Sequence, residues 1–285
     1  MSILKIDPET IVSLKEKARQ IRKDVVTMIH ESGDGHPSPA LSIADIIAAL
    51  YFQVLQIDPQ NPEKPDRDRV VLSKGHACTA LYAALARRGF FPLSTLSTFR
   101  SLHSILQGHP YQRKTPGLDA TTGSLGHGVS LGLGMVLAGR VLGYSYYTYV
   151  IIGDGEQEEG LIWEAAMAAA KYKAGRLIVF ADCNGLQSGG KIQEVGGIEP
   201  IQPKWQAFGW HCQSIDGHNM EEILSAVHTA QQVEEKPSII LARTIKGKGV
   251  PFMENNNDWH KKVPTKAELQ LALAALDQDA QGGVQ

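Results

Sequence analysis

The chain has 285 residues, 43% of them hydrophobic and 20% charged, the balance of a globular protein with a sizeable buried core. Its net charge of −2 supplies no electrostatic pull towards nucleic acid or an anionic membrane. The three cysteines, Cys78, Cys183 and Cys212, are odd in number and contain no C-x-x-C, so they indicate neither a disulfide framework nor a zinc site.

The first residues lack an apolar leader, and no apolar run approaches the roughly 18 residues of a membrane span. A cytoplasmic location without membrane or nucleic-acid partners is the expectation. Ile11, Leu14, Ala18, Ile21, Val25, Val26 and Ile29 lie on one face of a helix over 10–32. A second helix is expected over 42–55, with Ser42 as its N-cap and Asp45 three residues on. Prolines and charges make 58–68 a loop. Val70-Val71-Leu72 reads as a short buried strand that runs into Ser73-Lys74-Gly75-His76 and a following helix. Residues 105–125 lack periodicity and read as a long loop, the kind that is functional or disordered in a compact domain. A helix rich in small residues follows, over about 127–143.

The centre of the chain is more regular. Strands are expected at 146–152, 177–181, 211–215 and 238–242, with helices at 158–174 and 220–235 between them. Asn219 caps the last helix, with Glu222 at the capping-box position. Alternation of this kind defines an α/β fold: a mostly parallel sheet with helices on both faces. One domain over 1–285 is expected, with a core of about 10–265 and a frayed tail over about 279–285.

In such a sheet, ligands bind beyond the carboxyl ends of the strands. Three strand ends carry chemistry. Gly153-Asp154-Gly155 combines a carboxylate with glycines that let the backbone approach a bulky anion, and a helix begins just after it. Asn184 ends the next strand, 30 residues beyond Asp154. A carboxylate, an amide oxygen and a main-chain carbonyl make a hard oxygen site of the kind magnesium takes. Gly75-His76 stands at the same topological position on an earlier strand. Taken alone, G-D-G is a common turn, and an Asn at a strand end is often a turn residue. Gly123-Ser-Leu-Gly126-His-Gly128 superficially suggests a dinucleotide loop, but it lacks the G-x-G-x-x-G order.

Residues 153–184 resemble the thiamine-diphosphate motif, a G-D-G followed about thirty residues later by an Asn. More specifically, the run Gly-Asp-Gly-Glu-Gln-Glu-Glu-Gly-Leu-Ile-Trp-Glu-Ala-Ala and Asn184-Gly185-Leu186-Gln187 resemble transketolase. So do Gly35-His36-Pro37, Asp66-Arg67-Asp68-Arg69, Leu72 to His76, Gly108-His109-Pro110, Thr122 to Gly126, and Gly247 to Val250 leading to Trp259-His260. Separate blocks in one order over about 10–265 are a far stronger signal than any one of them.

The resemblance implies a fold, cofactors and roles. Asp154 and Asn184 would bind Mg2+ (or Ca2+ or Mn2+ in its place) by side chain, and Leu186 by its carbonyl. Cofactor contacts are implied for His76, Gly123, Leu125, Gly153, Gly155, Glu164 and His260. Catalytic roles are implied for His36, His76, His109 and Glu159, with a sugar or sugar-phosphate substrate. Glu159 and Glu164 also resemble the acidic pair that joins paired active sites across a dimer, so self-association is expected. His30, His103, His211, His218 and His228 receive no role. Ser38-Pro39-Ala40, His127, Cys183 and Ser188-Gly189-Gly190 depart from the family pattern and leave the substrate open.

The family's full-length members continue into a pyrimidine-binding domain. The resemblance therefore implies a split enzyme whose partner is a C-terminal pyrimidine-binding subunit, in a two-plus-two assembly. The leading expectation is transfer of a two-carbon ketol unit, with a specialised biosynthetic ketol or acyl transferase as a variant. A 2-oxo acid dehydrogenase α-type subunit shares the G-D-G pattern. A non-catalytic interaction subunit keeping the fold and a nicotinamide enzyme are the remaining readings.

Overall fold

The computed structural model describes residues 6–278, so the tail expected at 279–285 lies outside the described residues. The first helix, α1 (Pro8–Ser32), opens on Asp7, whose carboxylate accepts the Glu9 amide, and closes on Gly33 in the left-handed conformation. The helix expected over 42–55 is instead broken into α2 (Pro37–Ser42), α3 (Ala44–Ala49) and a π-turn over Leu50–Val54. Ser42 is not an N-cap. It ends α2, and its hydroxyl donates to Asp182 at 2.6 Å. Pro37 at the first position starts the helix earlier than periodicity suggested.

Next come β1 (Arg69–Leu72), α4 (Cys78–Arg88), a long stretch without strand or α-helix, and α5 (His127–Leu142). The chain continues through β2 (Thr148–Gly153), α6 (Gly160–Lys171) and β3 (Leu177–Cys183). A small antiparallel hairpin, β4 (Leu186–Gln187) and β5 (Gly190–Lys191), leads to the short helices α7 (Ile192–Val195) and α8 (Ile201–Ala207). The last elements are β6 (His211–Asp216), α9 (Met220–Gln231), β7 (Ser238–Arg243) and α10 (Lys266–Gln278). The small hairpin, α7, α8 and α10 had no expectation in the pattern.

The five long strands pair in parallel in the order β1-β2-β3-β7-β6. Period-two alternation sends Leu72, Tyr149, Ile151, Ile178, Phe180 and Ile240 into one core with α1, α3, α4 and α9. The intervening Val71, Val150, Ile152, Val179, Ala181 and Ile239 enter a second core with α5, α6 and α8. Each such side chain contributes about 1.5–3 kcal/mol on burial, so both sheet faces are held by apolar packing. Gln157, in the turn after β2, joins the second core to the strand ends. Its backbone carbonyl accepts the Trp163 indole N–H and its side-chain oxygen accepts that of Trp205, both at 2.9 Å. The fold thus presents the carboxyl ends of all five strands on one side.

Candidate active site

At that side lies a cavity of about 400 Å3. From β2 comes Asp154, from β3 Asn184, and from the turn after β1 His76. His36 enters from the residue before α2, Lys246 from the loop after β7, and His260 from the turn after Trp259.

Asp154 is buried, and its two oxygens accept the backbone N–H groups of Gly155 at 3.0 Å and Gly185 at 2.6 Å. Gly185 has φ +77°, a conformation that suits glycine and lets the turn deliver that N–H. Burial, followed by the nearby charge of Asp182, raises the Asp154 pKa to about 7. The Asn184 amide is oriented from both sides: its Nδ2 donates to Asp182 at 3.0 Å and its Oδ1 accepts the Leu186 N–H at 3.1 Å. Leu186 begins the β4–β5 hairpin, which holds its carbonyl beside the same cavity.

Beneath these groups, Asp182 is fully buried and accepts from Lys74, Ser42, Asn184 and Thr244. Burial works against its charge, but the Lys74 ammonium together with the Ser42 and Thr244 hydroxyls outweighs that and holds the carboxyl below its ordinary range. Glu156 accepts the Gly126 N–H at 2.8 Å, the Gly153 N–H at 3.0 Å and the Ser73 hydroxyl, tying the 123–126 loop to the end of β2.

His36, His76 and His260 form a triangle with ring centroids 5.2, 5.6 and 5.4 Å apart. Burial is the main reason each is hard to protonate, with lysine charges adding to it. The pKa of His36 falls to about 4, of His76 to about 2 and of His260 to about 3. At neutral pH the three rings are uncharged, so each can donate one hydrogen bond and accept another. His109 is exposed at the edge, near Gly123, and burial followed by Arg100 lowers its pKa too.

The cavity gathers His36, His76, Gly123, Leu125, Gly153, Asp154, Gly155, Glu159, Asn184, Leu186 and His260. His109 stays at the edge, and Glu164 points outward from α6, away from the cavity. The pattern missed Lys74, Asp182 and Lys246. The Lys246 ammonium donates to Asn257 Oδ1 at 2.7 Å and faces the Leu186 and Gln187 carbonyls at 3.5 and 3.4 Å. Burial, and then the charge of Lys74, brings its pKa down to about 8.

His218, given no role from the sequence, also acts here. Its Nε2 accepts the Ile245 N–H at 2.8 Å, so its Nδ1 carries the proton towards Asp45 at 2.7 Å. Asp45 is in turn ion-paired with buried Arg22. This chain of bonds holds the turn that presents Lys246. The signal lay in the Asp216-Gly217-His218 turn at the end of β6, beside the end of β7.

The residues suit a diphosphate with a divalent cation. Among the described residues, no three His, Cys, Asp or Glu side chains form a metal cluster, which leaves a mixed oxygen set rather than a zinc-type site. Among the described residues the buried Asp154 carboxylate accepts only the Gly155 and Gly185 N–H groups, and no side chain donates to it. The buried His260 Nδ1 has no partner among the described residues. Lys246 brings a cation to the same wall.

Residues 13–281 match the family model described as "Transketolase, thiamine diphosphate binding domain". The 6-deoxy-6-sulfo-D-fructose transketolase subunit SqwG of Clostridium sp. (strain MSTE9) is 47% identical, over 95% of this chain and 98% of its own length. One of the subunits of the apulose-4-phosphate transketolase of Phocaeicola vulgatus is 38% identical, over 94% of this chain and 95% of its own. A solved Pichia stipitis transketolase superposes with a TM-score of 0.88 at 29% identity, covering 92% of this chain but 40% of that one. The chain therefore spans less than half of the solved transketolases it matches. It belongs to the transketolase thiamine-diphosphate-binding family. Its type is the diphosphate-binding transketolase subunit, which is one component of a transferase, as its relatives of similar length are.

Proposed function

We propose that this chain, as a single diphosphate-binding domain, holds thiamine diphosphate with Mg2+ and transfers a two-carbon ketol unit from a ketose to an aldose once joined by a pyrimidine-binding subunit. The observation that carries this reading is the convergence of the His36–His76–His260 triangle with Asp154, Asn184 and Leu186 in one cavity. Asp154, Asn184 and the Leu186 carbonyl hold the cation. His76, Gly155, Lys246 and His260 would hold the diphosphate, and Gly123 and Leu125 line the same cavity to contact the rest of the cofactor. Bound there, the cofactor supplies the means of cleaving a bond beside a carbonyl. The chain's own part is orientation and proton handling. The uncharged imidazoles of His36 and His76, with His109 at the edge, hydrogen-bond the sugar oxygens and pass a proton to or from its hydroxyl as the carbonyl forms or is consumed.

The related subunits act on 6-deoxy-6-sulfo-D-fructose or apulose 4-phosphate, and a solved neighbour binds sedoheptulose 7-phosphate. We take the substrate here to be a sugar of that kind, with an anionic group. Self-association through the outer faces of α5 and α6, with Glu159 and Glu164 between paired sites, fits the exposed Leu131, Val141, Leu142 and Met167 there. Two such chains with two partners make a heterotetramer. Among the described residues no helix is long and apolar enough to cross a membrane, and the free cysteines suit a cytoplasmic setting.

The test is reconstitution. The chain with cofactor, Mg2+ and D-xylulose 5-phosphate is expected to be nearly inactive, and addition of the pyrimidine-binding subunit to give ketol transfer. Full turnover by the isolated chain would remove the need for a partner.

A further inference from the structure

One of the departures from the family pattern, Ser188-Gly189-Gly190, lies at the tip of the hairpin that carries Leu186. That hairpin is slight. β4 and β5 pair through two positions, Leu186 with Lys191 and Gln187 with Gly190. A two-stranded ladder of this size does not hold itself together in water. Gly190 has φ +140°, a conformation open mainly to glycine, so the tip adds no stiffness. The position of the Leu186 carbonyl therefore depends on bonds made to the hairpin from outside.

Such bonds come from opposite sides. On the β2 side, Gln187 Nε2 donates to Glu158 Oε1 at 3.0 Å. On the β7 side stands Asn257, to which the sequence pattern drew no attention. Its Nδ2 donates to the Ser188 carbonyl at 3.1 Å, and its Oδ1 accepts the Lys246 ammonium at 2.7 Å. These partners dictate the orientation of the amide, because an ammonium only donates and a carbonyl only accepts. The Asn257 backbone carbonyl also accepts the His260 N–H at 2.9 Å. One residue thus joins the hairpin, Lys246 and His260. The bond to Lys246 also spares Leu186. The ammonium stands 3.5 Å from the Leu186 carbonyl oxygen, at the far limit of hydrogen bonding, because Asn257 holds it. Without the Asn257 oxygen, the hydrogen-bond acceptors left to this buried ammonium among the described residues are the Leu186 and Gln187 carbonyls. It would then compete with a cation for Leu186.

We propose that Asn257 is a positioning residue that fixes the Leu186 carbonyl and thereby makes the cation site prefer Mg2+ to Ca2+. This rests on the function proposed above and adds a residue that touches neither cation nor cofactor. Mg2+ demands near-ideal octahedral geometry at about 2.0–2.1 Å, whereas Ca2+ accepts roughly six to eight oxygens at longer and more variable distances. A carbonyl that drifts, or that is shared with an ammonium, costs the smaller ion more.

Two measurements decide it. In the first, Mg2+ or Ca2+ is titrated by calorimetry into the assembled enzyme with thiamine diphosphate in excess. Asn257→Ala is expected to weaken Mg2+ about tenfold and Ca2+ about twofold, so the preference for Mg2+ falls about fivefold. Asn257 is half-buried in a loop, so the variant should fold. Asn256→Ala is the control. Its side chain bonds within its own loop, accepting the Asp258 N–H at 3.1 Å and donating to the Phe252 carbonyl at 3.3 Å, so its loss should leave the preference unchanged. Equal losses for both cations in Asn257→Ala, or the same change of preference in Asn256→Ala, overturn the assignment and leave the proposed function standing. A wild-type enzyme that takes neither cation refutes the proposed function, and this assignment with it. The second measurement needs no cofactor. Hydrogen exchange in the full chain should quicken in Asn257→Ala, and not in Asn256→Ala, at the Leu186 and Ile192 amides, which bond to Asn184 Oδ1 at 3.1 Å and the Gly185 carbonyl at 3.0 Å. Unchanged exchange there overturns the assignment. Quickened exchange and a lost preference for Mg2+, in an enzyme that transfers no ketol unit, would support the role of Asn257 while refuting the wider function.

Discussion

The two ends of the same sheet both carry a cavity, and the larger one is at the wrong end for a parallel sheet. At the amino ends, about 630 Å3 lies between Asp68, Tyr147 and Gln231. There the polar groups answer one another. Asp68 accepts the Gln56 and Tyr147 N–H groups at 2.8 Å each, and Gln231 donates to the Tyr149 hydroxyl at 2.8 Å. At the carboxyl ends, about 400 Å3 contains a buried carboxylate of raised pKa, a buried imidazole nitrogen with no partner among the described residues and a lysine of lowered pKa. Cavity size records imperfect packing. Polar groups held out of water and left incompletely satisfied record where a ligand belongs.

This contrast can be tested from its strongest consequence down. Asp182→Ala removes the carboxylate beneath the site and leaves Lys74 buried without its partner. About 3–5 kcal/mol of stability should be lost in urea unfolding. A loss under about 1 kcal/mol would mean that water reaches Lys74 and the two ends differ less than they look.

Asp154→Ala should weaken thiamine diphosphate and Mg2+ binding at least about 100-fold by calorimetry, besides about 1–3 kcal/mol of stability for the Gly155 and Gly185 N–H groups it strands. Asp68→Ala should cost a similar amount of stability for its own two stranded N–H groups but leave cofactor affinity intact. If both variants lose cofactor to the same degree, the distinction between the ends fails.

A pH series sharpens the comparison further. His76 titrates near 6.5 when unfolded and at about 2 when folded. Between those values the unfolded chain binds the His76 proton and the folded one does not, so the stability linked to this ring is complete above pH 6.5 and falls as the pH drops. At pH 5 the His76 share of the loss should be about 2 kcal/mol, with His36 and His260 adding to it in the same direction, so His76→Gln should lessen the drop in urea midpoint between pH 7 and pH 5 without abolishing it. The smallest effect is expected from His218→Phe. Loss of the acceptor for the Ile245 N–H should loosen the Lys246 turn and weaken cofactor binding about fivefold. An unchanged affinity would make the Arg22–Asp45–His218 chain structural only.

These contrasts also separate what the sequence disclosed from what it concealed. The strand that runs into Gly153-Asp154-Gly155 and the Asn184 that ends the next strand were legible because β2 and β3 are neighbours both in sequence and in the sheet. Lys246 and His218 were not, because their closeness depends on β7 lying between β3 and β6, an order that no local pattern encodes. Ser42 misled for a similar reason. Its hydroxyl was free to cap a helix by local rules, but Asp182, 140 residues away, engages it. Helix α10 had a readable start. Thr265 and Glu268 exchange side-chain and backbone hydrogen bonds as a capping box, followed by Leu269, Leu271 and Leu273.

The indole bonds of Gln157 carry one more consequence. The turn that bears Asp154 is wired through a single glutamine to Trp163 and Trp205, and Trp205 lies 4.7 Å from Trp210. The remaining tryptophan, Trp259, directly precedes His260. Every strongly fluorescent side chain of this protein is therefore coupled, directly or at one remove, to a loop of the cofactor cavity. Loading should register in the protein's own emission spectrum, giving an unlabelled optical titration of the site.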